Sequence, residues 1–290
     1  MIIFGRIVKG ISGFYYVNDE QGVLHECKAC GRFRNENIIP LVGDQVEFSV
    51  LDGYDFIENI LPRKNQLIRP AVANIDIMIL VVSAAKPTID FVLCDKLLIQ
   101  AEKNNINCVL AINKNDVDFN DAQQISDQYS YYNTVNISAL TGEGIEDLKD
   151  YVRGNCVCFA GQSAVGKSSI INAFGAGLEL ETGTMSKKTQ RGKHTTRQAE
   201  LMFIPDLKAY VVDTPGFSMF DITELKKEEI GQYFREFAQC AGECRFHTCM
   251  HDQEPDCAVK YAVEQGNISK ERYERYLKMI HDEKLNHPQY

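Results

Sequence analysis

The segment that most constrains this chain runs from Gly161 to Ser168 and reads GQSAVGKS, which fits the phosphate-binding pattern GxxxxGKS. The apolar run Cys156–Ala160 before it predicts a buried strand, and the stretch Ser169–Phe174 after it predicts a helix. Glycines in such a turn let successive backbone N–H groups point at phosphate oxygens, and the helix N-terminus adds its positive end. This succession of strand, turn and helix indicates an α/β domain that binds a nucleoside triphosphate.

Two side chains of this loop have expected chemical roles. Lys167 would reach the β- and γ-phosphates, which makes it a predicted catalytic residue, and the Ser168 hydroxyl would bind Mg²⁺. The residues predicted to contact the nucleotide here are Gly161, Gln162, Ser163, Ala164, Val165, Gly166, Lys167, Ser168 and Ser169.

A second motif predicts which base is bound. Residues 113–116 follow the apolar strand Cys108–Ile112, where a loop at the carboxyl edge of a parallel sheet should begin. The Asp116 carboxylate can accept hydrogen bonds from guanine N1–H and the 2-amino group. Adenine lacks both donors, so it would leave the carboxylate unpaired at a cost of about 1–3 kcal/mol. An Asn/Asp-rich helix cap would have a similar sequence, so the motif alone does not decide. The residues predicted to contact the base are Asn113, Lys114, Asn115 and Asp116.

Two motifs after the phosphate loop predict a magnesium site. Asp213 and Gly216, in the sequence DTPG, would hold Mg²⁺ through water and meet the γ-phosphate. Thr195 and Thr196, in the sequence GKHTT, are alternatives for the remaining magnesium ligand, and both are predicted catalytic residues. Contacts to base, triphosphate and metal together predict that the chain binds GTP.

The order of the motifs is unusual. The base motif and the tripeptide Ser138-Ala139-Leu140, which would present a backbone N–H to the guanine oxygen, both precede the phosphate loop. In ordinary small GTPases they follow DTPG. A sheet tolerates such a reordering because termini usually lie close together at the surface. In this order the chain after DTPG leads directly into a C-terminal region, which the γ-phosphate could therefore move.

That C-terminal region contains a cluster of metal ligands. Cys244, Cys249, His251 and Cys257 have the spacing C-x4-C-x-H-x5-C, and three thiolates with an imidazole can close a tetrahedral zinc site. His247 is the alternative to His251, and a group of reduced structural thiols is the alternative to a metal site. Nothing nearby resembles a helix-borne Glu general base, so we predict one structural zinc ion.

The first sixty or so residues predict an all-β module. Short apolar runs such as Ile2–Phe4, Phe14–Val17 and Gln45–Val50 alternate with glycine turns, and this pattern favours a small barrel. The pattern does not separate an OB-fold from an SH3-like barrel. The predicted turns are at Gly10, Gly13, Gly22, Gly31, Gly43 and Gly53.

Composition limits the remaining possibilities. A chain of 290 residues should form two or three domains, and no stretch approaches the ~18 apolar residues of a membrane span. Ten cysteines without a signal peptide predict a reducing cytoplasm. Cys27 and Cys30 form a CxxC pair that a thiol-dependent redox protein would also have. We interpret them as unrelated cysteines, because no second CxxC or βαβ unit accompanies them.

The net charge of −9 is unfavourable for an RNA partner, but the basic residues are unevenly spread. Residues 183–199 contain five basic residues and no acidic one. Because this segment includes the predicted GTP-sensing threonines, RNA contact there would couple docking to hydrolysis; ordinary solvated loops are the alternative. The predicted RNA-binding residues are Arg32, Arg34, Arg63, Lys64, Lys187, Lys188 and Arg191.

The motif order and the cysteine spacing resemble those of the RsgA (YjeQ) family of circularly permuted, ribosome small subunit-dependent GTPases. Two N-terminal segments, Val42–Asp44 and Pro62–Pro70 with Ala73-Asn74, extend the resemblance over nearly the whole chain. It implies an OB-fold at residues 1–68, a circularly permuted P-loop GTPase α/β domain at 69–221 and a mainly helical zinc-binding domain at 222–290. It also implies a cytoplasmic bacterial factor that binds the 30S subunit late in maturation, contacts 16S rRNA and hydrolyses GTP there.

One catalytic group of ordinary GTPases is missing. Phe217 stands after DTPG in place of the glutamine that orients water, which predicts slow intrinsic hydrolysis. His194 is the predicted catalytic substitute and matches a histidine that the resembled family is thought to use; a surface histidine is the alternative. The alternative function is an RNA-docking assembly factor with a non-hydrolytic, structural nucleotide. We expect a monomer without membrane contact, whose residues 270–290 form an exposed helix on the zinc module.

Overall fold

The N-terminal part of the chain forms a closed five-stranded barrel. The computed structural model describes residues 2–50, 55–68, 70–175, 199–213, 225–240 and 242–282. The barrel consists of β1 (Ile2–Ile11), β2 (Phe14–Asp19), β3 (Leu24–Ala29), α1 (Arg32–Asn35), β4 (Gln45–Ser49) and β5 (Asp55–Ile60). β1 pairs with both β2 and β4, and β5 pairs with both β3 and β4, so the sheet closes on itself. The strand order β1-β2-β3-β5-β4 is that of an OB-fold, as the resemblance implied.

Every strand contributes a fully buried side chain to the centre of the barrel, and β4 contributes two. The fully buried apolar residues of the strands are Ile7, Val17, Cys27, Val46, Phe48 and Ile57. Cys27 is therefore a core residue, and burial raises the pKa of its thiol to about 12. A thiol with such a pKa is a poor nucleophile, which argues against the redox interpretation of the CxxC pair.

One predicted glycine turn was wrong, and another, at Gly53, lies outside the described residues. Gly10 lies inside β1, paired with Tyr15 of β2, and the hairpin turns at Ser12 and Gly13 instead. Both turn residues have positive φ, 49° and 88°, which suits the right-handed twist of the flanking strands. Residue type alone suggested a turn at Gly10, and the pairing of the strands overrides it.

A central sheet follows the barrel and carries the predicted nucleotide motifs. A small hairpin of β6 (Gln66–Leu67) and β7 (Val72–Ala73) links the two. The strands of the central sheet are β8 (Ile77–Ser83), β9 (Asn107–Asn113), β10 (Asn133–Asn136), β11 (Cys156–Ala160), β12 (Glu200–Ile204) and β13 (Ala209–Asp213). Their order is β10-β9-β8-β11-β13-β12, and all neighbours are parallel except β12 and β13.

Helices cover both faces of this sheet. They are α2 (Phe91–Lys103), α3 (Phe119–Gln128), α4 (Ile145–Val152) and α5 (Lys167–Ala173). Most buried apolar side chains of α2 and those of α3 belong to one core, and those of α4 and α5 belong to the core on the opposite face. The helices that follow the adjacent strands β8 and β11 thus lie on opposite faces, which opens a crevice at the carboxyl ends of these strands.

The barrel is joined to the central sheet by backbone and by ion pairs. β1 pairs with β12 at Lys9 and Glu200, and their side chains form a salt bridge of 2.9 Å.

The two N-terminal segments that resemble those of the RsgA family contact each other. Arg63 donates through Nε to Asp44 Oδ1 at 2.7 Å, and the Asp44 carboxylate is fully buried. Gly43 lies so close to Ala73 that a Cβ would be 2.0 Å from its carbonyl oxygen. These contacts give the N-terminal segments a structural role.

The C-terminal module is helical and packs on the central domain. Its helices are α6 (Lys227–Ile230), α7 (Arg235–Ala238), α8 (Ala258–Glu264) and α9 (Lys270–Ile280). α9 packs on this module as predicted, but it is not an exposed helix. Arg272 and Arg275 are buried, because they pair with Asp95 of α2.

The described helices are short. The longest, α2, has 13 residues, and none in the described part of the chain is long and apolar enough to cross a membrane.

Candidate functional site

The phosphate loop has the backbone conformation that its glycines allow. Gly161 and Gly166 have φ of 126° and 106°, and Ala164 between them also has a positive φ of 64°. A Cβ at Gly161 would lie 2.1 Å from the Val81 carbonyl oxygen, and a Cβ at Gly166 would lie 2.2 Å from Asn113 Nδ2. The turn therefore requires glycine both for its φ and for its close packing on the neighbouring strands β8 and β9.

The loop leads into α5 as the motif predicts. No side chain caps the N-terminus of α5, so its first backbone N–H groups are available to an anion. Lys167 Nζ donates to the carbonyl oxygens of Gly161 at 2.7 Å and Gln162 at 2.5 Å. Burial lowers the pKa of this ammonium, and a phosphate would supply the missing counter-charge. Ser168 and Ser169 lie half-buried in the first turn.

Asn113 joins the base motif to the other two loops. Its buried side chain donates through Nδ2 to the Val165 carbonyl at 2.8 Å and accepts through Oδ1 from the Ala139 N–H at 3.0 Å. The Ala139 N–H is thus used inside the protein. The Leu140 N–H has no partner among the described residues, so it is open to a ligand; the tripeptide alone did not indicate which of its N–H groups would be presented.

The remaining residues of the base motif differ in exposure. Lys114 Nζ donates to the carbonyl oxygens of Lys86 and, at 3.4 Å, of Ala164, so it spans the base motif and the phosphate loop. Asn115 is buried and its N–H donates to the Ile137 carbonyl. Asp116 is exposed, and its carboxylate is open to a ligand. The β8–α2 loop, which contains Lys86, was not predicted to border the site.

Several predicted site residues lie outside the described residues. They are Lys187, Lys188, Arg191, His194, Thr195, Thr196 and Gly216. The backbone of Asp213 is described: it ends β13, the neighbour of the strand that precedes the phosphate loop.

The described RNA-binding candidates are mostly engaged within the chain. Arg32 donates to the Glu58 carbonyl and to Asn59 Oδ1, both at 2.8 Å, and Lys64 pairs with Asp76 at 2.8 Å. Arg34 is exposed and has no side-chain partner among the described residues. Arg63 is held by Asp44, so Arg34 is the described candidate whose side chain is most available to a partner. RNA contact by any of these residues stays a prediction.

Four predicted metal ligands come together in the C-terminal module. The ligand atoms of Cys244, Cys249, His251 and Cys257 all lie within 4.8 Å of one another and could hold a metal ion. Burial raises the pKa of Cys249 to about 12, so without a cation this thiol would stay protonated. His247 is exposed and lies outside the cluster.

Helix α9 positions the loop that carries these ligands. The Tyr273 hydroxyl donates to the His251 carbonyl at 2.7 Å, and the Tyr276 hydroxyl donates to the Met250 carbonyl at 2.6 Å. The Glu254 carboxylate accepts from the backbone N–H groups of Met250 and Asp252, both at 2.9 Å. The His251 backbone, with φ of 58°, is thus held on both sides.

The fold and the site define a P-loop GTPase with permuted motifs, an N-terminal barrel and a C-terminal module whose cysteine/histidine cluster could hold a metal ion. The sequence pattern of the RsgA GTPase matches residues 60–223, and that of the RsgA N-terminal domain matches residues 4–55. The chain belongs to the RsgA family and is a GTP hydrolase.

Relatives and solved structures agree with this assignment. The chain is 48% identical to the small ribosomal subunit biogenesis GTPase RsgA of Caldanaerobacter subterraneus subsp. tengcongensis, over 97% of this chain and 96% of that protein. It is 44% identical to the protein of the same name from Thermotoga petrophila, over 96% of each. The crystal structure of YjeQ from Thermotoga maritima superimposes with a TM-score of 0.86 at 41% identity, covering 97% of this chain and 98% of the other. YloQ, described as a circularly permuted GTPase, gives 0.83 at 33% identity, covering 100% and 98%.

Proposed function

We propose that this chain binds the small (30S) ribosomal subunit late in its maturation and hydrolyses GTP to GDP and phosphate when bound there. The observation that carries the proposal is the buried Asn113, whose two hydrogen bonds join the base motif to the phosphate loop and to the Ser-Ala-Leu loop. These hydrogen bonds hold the loop that would bind guanine and the loop that would bind the triphosphate in one fixed geometry. The names of the relatives supply the ribosomal partner.

In the proposed site, Asp116 selects guanine and the phosphate loop with Lys167 holds the phosphates. Ser168, with Thr195 or Thr196 and with Asp213 through water, would bind Mg²⁺, and the ion would neutralise the charge that develops on the phosphates. His194 is proposed to assist the attack of water. The residues proposed to contact GTP in the other loops are Asn113, Lys114, Asn115, Ser138, Ala139 and Gly216.

The metal of the C-terminal module is proposed to be zinc. Bond lengths of about 2.3 Å to sulfur and 2.0–2.1 Å to nitrogen put tetrahedral ligands roughly 3.6–3.8 Å apart. Cys244 Sγ lies 3.6 Å from His251 Nδ1 and 3.9 Å from Cys257 Sγ, and His251 Nδ1 lies 3.4 Å from Cys257 Sγ. Three soft thiolates and an imidazole also favour zinc over magnesium or calcium. The site would be structural.

The proposal also covers the RNA partner, the cellular location and the domain boundaries of the chain. The chain would act as a monomer in the cytoplasm and contact 16S rRNA, with Lys187, Lys188 and Arg191 forming the main contact. Residues 1–68, 69–221 and 222–290 would be the three domains. A contact at residues 187–191 would lie a few positions before Thr195, so docking would reach the GTP-sensing loop directly.

GTP hydrolysis measured with and without purified 30S subunits tests the proposal. We expect multiple-turnover phosphate release that subunits accelerate, and co-sedimentation with subunits in the presence of a non-hydrolysable GTP analogue. Lys167→Ala should abolish turnover, because it removes the cation that meets the phosphates. Single-turnover release, unchanged by subunits, would favour a docking factor with a structural nucleotide instead.

A further inference from the structure

The side chain of Gln162 contacts a neighbouring loop, although the residue belongs to the phosphate loop. Gln162 Oε1 accepts a hydrogen bond from the Asp90 N–H at 2.9 Å, and Nε2 donates to the Thr88 carbonyl at 3.3 Å. Asp90 is the N-cap of α2, and its side chain accepts from the Leu93 N–H at 3.0 Å. The phosphate loop is therefore tied to the start of α2.

Helix α2 is buried on two faces against two different parts of the protein. Cys94, Leu97 and Leu98 pack in the core on the central sheet. Asp95, Ile99 and Glu102, at i, i+4 and i+7, share another face of the helix and contact the C-terminal module. Ile99 belongs to the core of that module, and Glu102 pairs with Arg235 of α7 at 2.5 Å. A movement of the C-terminal module therefore acts on α2 directly.

The contact between α2 and α9 is a buried ion cluster. The fully buried Asp95 carboxylate accepts from Arg272 Nη1 at 2.7 Å, from Arg275 Nε and from the Tyr129 hydroxyl at 2.8 Å. Arg272 also pairs with Glu236 of α7, so two acids balance two guanidinium groups. Because charges buried this deeply tolerate few other arrangements, the cluster fixes the orientation of α9 on α2.

We propose that Gln162 is a positioning residue of the nucleotide site. Through Gln162, α2 makes the phosphate loop sensitive to the position of the C-terminal metal module. This regulation rests on the proposed function, since it requires GTP or GDP in the phosphate loop. The hydroxyls of Tyr273 and Tyr276 join the metal loop to α9, the Asp95 cluster joins α9 to α2, and Gln162 joins the start of α2 to the phosphate loop. A partner that moves the metal module thereby changes nucleotide binding.

The dissociation rate of a fluorescent GDP from the metal-loaded full chain tests this coupling. Gln162→Met keeps the length of the side chain and removes both hydrogen bonds. Asp95→Asn/Arg275→Met removes one negative and one positive charge, so the remaining Arg272–Glu236 pair stays balanced. We expect each change to accelerate dissociation by about 3- to 10-fold, as the loss of one or two hydrogen bonds implies. Combining them should accelerate dissociation no further than the larger single effect, because both act through one connection.

Controls separate this coupling from general destabilisation. Tyr131→Phe removes the hydroxyl that donates to the Asn267 carbonyl at 2.9 Å, a contact of the central domain with the C-terminal module that bypasses α2. It should leave the GDP dissociation rate within twofold of wild type. If Asp95→Asn/Arg275→Met does not fold, Tyr129→Phe takes its place and should accelerate dissociation about threefold, since it removes one hydrogen bond to Asp95.

A wild-type dissociation rate in Gln162→Met, or in the folded Asp95→Asn/Arg275→Met variant or its substitute Tyr129→Phe, would overturn the proposal, and so would multiplied effects in the combined variant. A wild-type chain that retains neither GDP nor GTP would contradict the proposed function itself. Failure of the coupling alone is therefore distinguishable, because wild type would still bind nucleotide and respond to 30S subunits.

Discussion

The nucleotide loops and the metal cluster are assembled in different ways. The four metal ligands come from one segment, residues 244–257, whereas the nucleotide loops come from three segments that follow β9, β10 and β11. Hydrogen bonds of Asn113 and Lys114 hold the nucleotide loops to one another. The metal loop is ordered within its own module, by the Tyr273 and Tyr276 hydroxyls of α9 and by the Glu254 carboxylate, while its four ligand side chains crowd together. The nucleotide loops are thus fixed to one another by the fold, whereas we expect the metal loop to need an ion that compensates its clustered ligand side chains.

Metal removal should separate the two sites most clearly. A structural zinc ion of this ligand type contributes an apparent free energy of about 10–16 kcal/mol to folding in small peptides. A chelator should therefore abolish amide protection across residues 244–257 while β8, β9 and β11 stay protected, as hydrogen exchange with mass spectrometry would measure. Cys257→Ser should do the same. Cys240→Ser, at a buried thiol outside the cluster, should keep the metal. Unchanged protection of the ligand segment after chelation would contradict this dependence on the ion.

Gly166→Ala should damage the preorganised site and leave the metal site intact. The new Cβ would meet Asn113 Nδ2 at 2.2 Å, at a φ of 106° that side chains rarely adopt. Backbone strain and a displaced Asn113 together should weaken GDP binding by about 2 kcal/mol or more, which is roughly 30-fold. Titration calorimetry with GDP measures this.

The matched control is Gly154→Ala, because Gly154 also has a positive φ, of 73°, but has no atom within 4 Å of the added Cβ. It should cost about 1 kcal/mol of stability and leave GDP affinity unchanged. Equal losses of affinity in the two variants would mean that backbone strain, rather than the contact with Asn113, sets the effect.

The contrast between metal ligands from one segment and nucleotide loops from several segments also explains which features could be predicted from the sequence. The metal cluster was predicted from spacing, because its ligands are neighbours in the chain and a tetrahedral site constrains that spacing. The nucleotide strands were predicted because each motif directly follows an apolar run. Contacts between remote segments could not be predicted in this way. Arg272 pairs with Asp95 across 177 positions, and the side chain of Gln162 reaches Asp90 across 72 positions. Nothing in local spacing indicates such pairs, and tertiary packing alone decides them.

Asp116→Asn should change the base preference without disturbing the loops. Asp116 is exposed, so its replacement should have little effect on stability. An amide cannot accept from both guanine N1–H and the 2-amino group, but it can donate to the 2-oxo group of xanthine. GDP affinity should fall by about 1–3 kcal/mol, or roughly 5- to 150-fold, while affinity for xanthosine diphosphate rises.

Asp118→Asn is the matched control for the base preference. Asp118 caps α3 by accepting from the Asp121 N–H, a role that Asn fulfils equally well. This variant should bind GDP as wild type does. A loss of GDP affinity as large as that of Asp116→Asn would show that the whole loop, rather than one carboxylate, distinguishes the bases.

His247→Ala should have the smallest effect of these substitutions. It tests whether the metal site consists only of the four ligands that lie together in the structure. His247 is exposed and outside the cluster, so the variant should retain one metal ion per chain by native mass spectrometry. His251→Ala should lose the ion, because its imidazole lies 3.4 Å from Cys257 Sγ and no other histidine is in the cluster among the described residues. Full metal content in His251→Ala together with loss in His247→Ala would reverse the assignment. The metal segment would then have to rearrange when it binds its ion, and the contrast with the preorganised nucleotide loops would be larger than the present geometry indicates.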